Sequence, residues 1–437
     1  MKVYRLTEMA AGDVKALKRR SLLDIKRVLP AVEPIVEDVR VQGDAALLEY
    51  TARFDGVRLS PSELRVSQRE FQQAREEVTP DIQAAFRQAA RNVRLFHERE
   101  KPPETWLTEI GPGLMAGQRW TPLERVGLYV PGGKGDFPSV MLMLGICATV
   151  AGVKEVIACT PPTPEGKVNS GTLVAAELAG VKEVYRVGGA QAIAAMAFGT
   201  ETILKVDKII GPGGPYVAAA MHLVTCEVAV GPLAGPSEGL ILADETADPR
   251  LVALDLLVQG EHSMDAASLL VTHSESLVEG VHEALLPLLA RLPARRREIC
   301  VAVLEGYGGA VLTTSLEESI AFVNDYAPEH LQLAVRDPFA ILPRIRHAGV
   351  ILLGQGTPFT FPDFALGPSN VIPTGGFARA QSPVSVLTFM KRSSLCFVSE
   401  RAGFEALAPS VTAFAEYEGF PGHALAVKDR RSSTSPR

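Results

Sequence analysis

The sequence predicts an α/β protein built as two parallel-sheet domains, and three observations carry that reading. Short apolar runs recur at regular intervals with helical segments between them. The hexapeptide AGVKEV occurs twice, at 151–156 and 179–184, each time leading from a helix end through a glycine into a strand. The 437 residues exceed what a single hydrophobic core organises. Strands that alternate with crossover helices call for parallel sheets covered on both faces.

The first hundred residues read as helical: Ile82, Ala85, Phe86, Ala89, Val93 and Phe96 keep one face of a 3.6-residue period. Turn-rich stretches at Lys101-Pro-Pro and Gly111-Pro-Gly close this region. Strands are then expected at 126–130, 156–159, 184–187 and 208–210 for one domain, and at 239–243, 267–271, 331–334 and 349–353 for the other. Between the first two of the second set lies a helix announced by Asp248 as N-cap and Pro249 in its first turn. Beyond Lys428 apolar content disappears, and the tail is expected to be disordered.

A formal charge of −6 without a basic stripe argues against nucleic acid as a partner. The longest apolar run, 140–153, is too short for a bilayer and is broken by Gly145 and Gly152, so no membrane association is expected. The N-terminus lacks a secretory h-region, and the five cysteines show no Cys-x-x-Cys spacing. Both features point to reduced, mostly buried thiols in a cytoplasmic protein.

Three of the eight histidines stand beside acids or amides and next to glycine or proline: Gln259-Gly-Glu-His262, Pro328-Glu329-His330 and Glu418-Gly-Phe-Pro-Gly-His423. Such settings suit metal binding and proton transfer. Gln259 and His262, one turn apart near a helix end, are expected to share a direction; a polar helix end with His262 complementing the dipole is the structural alternative. Glu329 and His330 open a strand, where neighbouring side chains diverge and offer an acid and a base to different parts of one substrate. Asp363, amid apolar neighbours in Phe361-Pro-Asp-Phe, reads either as a turn or helix cap or, with His262 and His423, as part of a nitrogen and oxygen set suited to zinc. Pro131-Gly-Gly-Lys-Gly-Asp lacks the ending of a phosphate loop, and no Gly-x-Gly-x-x-Gly is present. Val187-Gly-Gly-Ala-Gln191 does follow a strand end, where α/β sheets bind ligands.

These segments, together with VGLYVPGG (126–133), VGGAQAIAAMAFGTE (187–201), KVDKIIGPG (205–213), AGPSE (234–238), DYAPEHLQL (325–333) and EGFPGHA (418–424), resemble the histidinol dehydrogenase family over about residues 25–428. The resemblance implies two incomplete Rossmann-like domains, with helical N- and C-terminal segments exchanged in a homodimer that shares its active sites. It implies an N-terminal arm (1–27), an α/β domain with the zinc and catalytic residues (28–128 with 237–384), an inserted NAD-binding domain (129–236), a C-terminal segment reaching the partner subunit (385–428) and a disordered tail (429–437). It further implies one zinc ion per subunit on Gln259, His262, Asp363 and His423, and Glu329 with a neutral His330 as the catalytic pair. Substrate contacts fall on Ser237 and Glu418 besides these six residues, and NAD contacts on Tyr129 and Gln191. The implied reaction is the NAD-dependent oxidation of a small amino alcohol, L-histidinol, to L-histidine through a bound aldehyde, in histidine biosynthesis.

The chain departs from the family pattern at Gly214, where an asparagine usually contacts NAD, and at Gly367-Pro-Ser-Asn370, where Asn370 replaces a histidine. Lys134-Gly-Asp-Phe, Gly260 and Ser263 depart as well. Two enzymatic readings follow: a divergent histidinol dehydrogenase, or a relative oxidising another small polar alcohol such as a sulfonated diol. A non-catalytic binding protein on the same scaffold would show decay at Glu329, His330 or a zinc ligand, and none is seen.

Overall fold

A computed structural model describes residues 1–19, 25–132, 135–232 and 235–432. Lys134, one of the departures, the alanine that opens AGPSE, and residues 433–437 of the expected tail lie outside them.

Two compact units are present. The first comprises Met1–Glu100 and Leu123–Phe389, the second Lys101–Pro122 and Met390–Arg437. Within the first unit, five parallel strands form a sheet in the order Glu183–Tyr185, Glu155–Cys159, Arg125–Tyr129, Lys208–Ile210, Ala229–Val230. In chain order this is 3-2-1-4-5, the arrangement of a doubly wound sheet, with its switch point between Arg125–Tyr129 and Lys208–Ile210. Six more parallel strands form the other sheet, in the order Val3–Arg5, Gly309–Leu312, Ala267–Thr272, Glu238–Ala243, His330–Ala334, Val350–Leu353. Setting aside the edge strand Val3–Arg5, the remaining five repeat the 3-2-1-4-5 order.

Both copies of AGVKEV do what their sequence implies. Gly152 and Gly180 end the helices Pro138–Ala151 and Ser170–Ala179 at φ +94° and +83°, where a side chain would be strained, and the chain then enters Glu155–Cys159 and Glu183–Tyr185. Helices on both faces bury the strands: every residue of Glu238–Ala243 and Ala267–Thr272 is buried, which is why these segments read as unbroken apolar runs. The five cysteines are unpaired; Cys147, Cys159 and Cys300 are buried, Cys226 and Cys396 exposed. Among the described residues no helix is long and apolar enough to cross a membrane.

The second unit holds a three-stranded antiparallel sheet, Met390–Val398, Leu114–Pro122 and Thr105–Gly111, followed by helices Arg401–Tyr417 and Pro421–Ser432. Three expectations need correction. Residues 101–122, assigned to the α/β domain, fall in the second unit, where Leu114–Pro122 pairs with the strand Met390–Val398. The terminal segments are not purely helical, because Val3–Arg5 adds a parallel edge strand beside Gly309–Leu312 and Met390–Val398 is extended. Disorder does not begin at 429, since the last helix runs to Ser432 and is tied back by Arg431 to Glu405 and by Lys428 to Glu416.

Leu128 lies fully buried in the central strand of the five-stranded sheet. Its truncation to alanine is expected to cost about 2–5 kcal/mol, read as a lowered midpoint in chemical denaturation.

Candidate active site

The catalytic candidates meet at the switch point of the six-stranded sheet, between Glu238–Ala243 and His330–Ala334. The parallel register sets His330 opposite Gly239. At Glu238, the first residue of its strand, the backbone N–H donates to Glu329 Oε2 at 2.7 Å, and the carbonyl lies 3.1 Å from His330 Nδ1. A proton on Nδ1 is thereby fixed by the carbonyl, and Nε2 becomes the working nitrogen. Nε2 meets Asp363 Oδ1 at 3.2 Å, and Phe359 packs edge-on against the ring. Glu329 and His330 are both buried.

Burial works against a charged imidazole at His330, yet the Glu329 carboxylate and the Asp363 hydrogen bond outweigh it and push the ring well above its ordinary value. With the buried Glu329 carboxylate and the half-buried Asp363 carboxylate both facing the ring, this arrangement favours its protonated form. The approach to the pair is also strained. Ala327, which ends the helix Leu316–Tyr326, is the one non-glycine residue at positive φ (51°) among the described residues, and Pro328 follows it.

Gln259 comes to the same place because the helix Pro249–Gly260 runs back from the end of Glu238–Ala243 to its beginning. Its side chain lies over Gly239, where an added Cβ would sit 2.2 Å from Gln259 Cγ. Gln259 is fully buried, and neither atom of its amide has a hydrogen-bond partner. The helix ends at Gly260, and His262 lies exposed in the turn that follows, its N–H donating to the Gln259 carbonyl at 3.5 Å. Asp363 sits inside the short helix Thr360–Phe364 and not at its cap. Ser237 is half-buried just before the strand, its carbonyl accepting from Ala267 N–H. Glu418 and His423 belong to the second unit, where both are exposed beside helix ends.

Sequence reading missed two groups behind this site. Gln332, two residues along the strand from His330 and fully buried, donates to Asp255 Oδ2 at 2.8 Å and to the Thr357 carbonyl at 3.1 Å. Asp255 is one helical turn before Gln259, so the network joins the helix of Gln259, the strand of His330 and the loop leading to Asp363. An acid within Leu-Asp-Leu-Leu and an amide within His-Leu-Gln-Leu-Ala were the available signals. Burial pushes Asp255 up to about 6, the Gln332 hydrogen bond opposing it.

A second candidate region lies at the C-terminal ends of the five-stranded sheet. Tyr129 ends its strand, and its hydroxyl accepts from Gly189 N–H at 3.1 Å. Gly189 opens the helix Gly189–Phe198 at φ +65°, and an added Cβ would meet Gln191 Oε1 at 2.7 Å. Gln191 is buried, with Oε1 unpartnered. Cavities of about 200 and 370 Å3 adjoin here, sharing Gly132, Pro161, Pro162 and Pro164. Neither includes Glu329 or His330.

A model of the histidinol dehydrogenase family matches residues 18–431. The chain belongs to the histidinol dehydrogenase family. Histidinol dehydrogenase of Synechocystis sp. is 48% identical over 99% of each chain. A Cereibacter sphaeroides protein named only as a histidinol dehydrogenase homolog is also 48% identical, over 98% of this chain and 97% of that one. The crystal structure of histidinol dehydrogenase from Elizabethkingia anophelis shares the fold with a TM-score of 0.93 at 36% identity, covering 98% of both chains. Membership implies use of NAD and zinc.

The residues present fit zinc in type. A buried, unpartnered Gln259 amide oxygen, the Asp363 carboxylate and the His262 and His423 imidazoles are the oxygen and nitrogen donors it favours. Among the described residues, no three His, Cys, Asp or Glu side chains of the single chain are gathered as a metal site.

Two outcomes test this arrangement. Asp255 has a raised value in the folded protein, so its contribution is present at pH 4 and lost as pH rises through about 6. The stability of D255N relative to the parent protein should therefore increase by on the order of 2 kcal/mol between pH 4 and pH 7, measured by urea titration at each pH. Gly239→Ala should displace Gln259 and lower zinc affinity by ~10-fold or more, read by competition with a chromogenic chelator.

Proposed function

We propose that this protein is a zinc- and NAD-dependent four-electron oxidoreductase that converts L-histidinol to L-histidine through a retained aldehyde. The observation that carries the reading is the buried Glu329–His330 pair, held on the backbone of one residue of the neighbouring strand with Asp363 and Gln259 beside it. Bound zinc would position the substrate's imidazole and amine, and NAD would accept a hydride in each of two steps. We assign the metal to Gln259, His262, Asp363 and His423, the substrate to these residues with Ser237, Glu329, His330 and Glu418, and NAD to Tyr129 and Gln191.

In this scheme His330 Nε2 takes the proton of the alcohol as hydride leaves the adjoining carbon. Asp363 faces Nε2 and favours a protonated ring; were Asp363 to hold the metal, its charge would be offset and Nε2 left able to take that proton. Glu329, anchored by the Glu238 N–H, then takes a proton from the water that adds to the aldehyde, and loss of a second hydride leaves the carboxylic acid.

We further propose a homodimer in which the C-terminal segment brings Glu418 and His423 to the partner's site. The second unit exposes Phe414, Tyr417, Phe420 and Leu425 on these helices, an apolar surface of the kind that marks interfaces. The cytoplasm is the proposed location.

One observation favours the second reading, a dehydrogenase for another small polar alcohol such as a sulfonated diol. Asn370, which stands where the family has histidine, donates to the Asp363 carbonyl at 3.0 Å and to Ser139 Oγ at 3.3 Å. It thus places an uncharged amide beside the proposed substrate site.

Incubation of the purified protein with zinc, NAD and limiting L-histidinol should yield two NADH per substrate. One NADH with free aldehyde, or turnover of a sulfonated diol alone, refutes the primary reading. His330→Asn should lower kcat by ~10²–10⁴-fold, and chelation should abolish activity until zinc is restored. An added Cβ at Gly214 meets no atom within 4 Å, so Gly214→Asn should be accommodated and should lower KM for NAD by ~5-fold, the worth of one hydrogen bond.

A further inference from the structure

Asp55 closes the helix Asp44–Phe54 and breaks three rules of placement at once. Its carboxylate stands at the C-terminal end of a helix, where unsatisfied carbonyls make the local field negative and an acid is unfavourable. One of its oxygens, Oδ2, is buried without a hydrogen-bond partner. Burial pushes the carboxyl up to about 6, with no neighbouring cation to offset it. The guanidinium two residues back, Arg53, is engaged over the Phe54 ring. Each departure costs stability, and packing of the fold returns nothing for it. A local rule broken without structural compensation points to a ligand.

The surroundings say which ligand. Asp55 lines the 370 Å3 cavity together with Tyr129, Gly189, Gly132 and the proline-rich turn containing Pro161 and Pro164. Its charge is near enough to add to the effect of burial, which pushes the Tyr129 phenol up to about 12. This cavity is at the C-terminal ends of the five-stranded sheet, where a doubly wound sheet takes a nucleotide. It contains no residue of the six-stranded sheet, so the reacting nicotinamide end lies elsewhere and the cavity is left for the adenosine half. In doubly wound sheets a carboxylate that accepts from the adenosine ribose hydroxyls selects against a 2′-phosphate, and it ordinarily comes from the sheet itself. Here the sheet carries no Gly-x-Gly-x-x-Gly unit and the acid arrives from a helix outside it.

We propose that Asp55 is the specificity-determining residue for the dinucleotide: its carboxylate accepts hydrogen bonds from the 2′-hydroxyl of the adenosine ribose and excludes NADP by charge repulsion. The inference rests on the reading that NAD binds over the five-stranded sheet.

The test is calorimetric titration of the full-length protein and its Asp55→Asn variant with NAD and with NADP, without substrate, alongside thermal melting. D55N is expected to melt at a higher temperature, because an unpaired buried charge at the wrong helix end is removed. It should bind NAD ~10-fold more weakly and NADP more tightly than the parent does. Unchanged NAD affinity overturns the proposal, and so does equal weakening toward both dinucleotides, which would place the carboxylate on a part they share. A lowered melting temperature for D55N would make Asp55 a structural group and overturn it as well. A parent protein that binds neither dinucleotide overturns the NAD reading itself, and this inference with it.

Discussion

The backbone of Glu238 is the constraint on which the candidate site depends. Its N–H holds the Glu329 carboxylate and its carbonyl faces His330 Nδ1, so the two peptide planes that meet at one Cα, both fixed by strand pairing, set the positions of an acid and a base that follow each other in sequence. Strand pairing makes this possible. Glu238 is the first residue of its strand and is placed by parallel register one step before the residue opposite His330. The Glu238 side chain is used too, accepting from Gly375 N–H and so fixing the loop that passes the site. A slip of register by one residue would turn His330 to the other face of the sheet and separate the pair.

The two sheets share a strand order but present different ends to function. Over the five-stranded sheet the candidate cofactor residues, Tyr129 and Gln191, follow strand ends, as expected of open parallel sheets. In the six-stranded sheet Glu238, Glu329 and His330 cluster at strand beginnings, and Gln259 joins them because a crossover helix must return to that end. The same topology therefore supplies two kinds of platform: helix starts with free N–H groups at one end, helix ends and strand starts at the other. The Asp255–Gln332 network stiffens the second kind by tying helix, strand and loop through buried polar groups.

Much of this was legible in the chain. Strands buried on both faces leave apolar runs, and glycines that stop helices leave a repeated hexapeptide, so the parallel sheets could be read directly. The antiparallel sheet could not. Thr105–Gly111 is almost wholly exposed and carries no alternation, and Leu114–Pro122 finds its other partner, Met390–Val398, far away in sequence. The strand Val3–Arg5 is too short to show a period. At the site, Glu329, His330 and Asp363 announced themselves by composition, and the structure brings them together. His262 falls in the turn just past Gly260, where the helix has stopped. Asp255 and Gln332 were hidden because a single polar residue in an apolar run looks the same whether it faces water or a buried partner.

Ala327 shows how aim is obtained in such a chain. Glycine would occupy a left-handed turn more comfortably; alanine there stores roughly 1–2 kcal/mol of torsional cost. Between a helix that must stop and a proline that cannot continue it, the alanine makes an elbow with little freedom to swing. The residues just past the elbow arrive with their bearing already set, and the molecule trades a little thermal endurance for a tool that does not wobble.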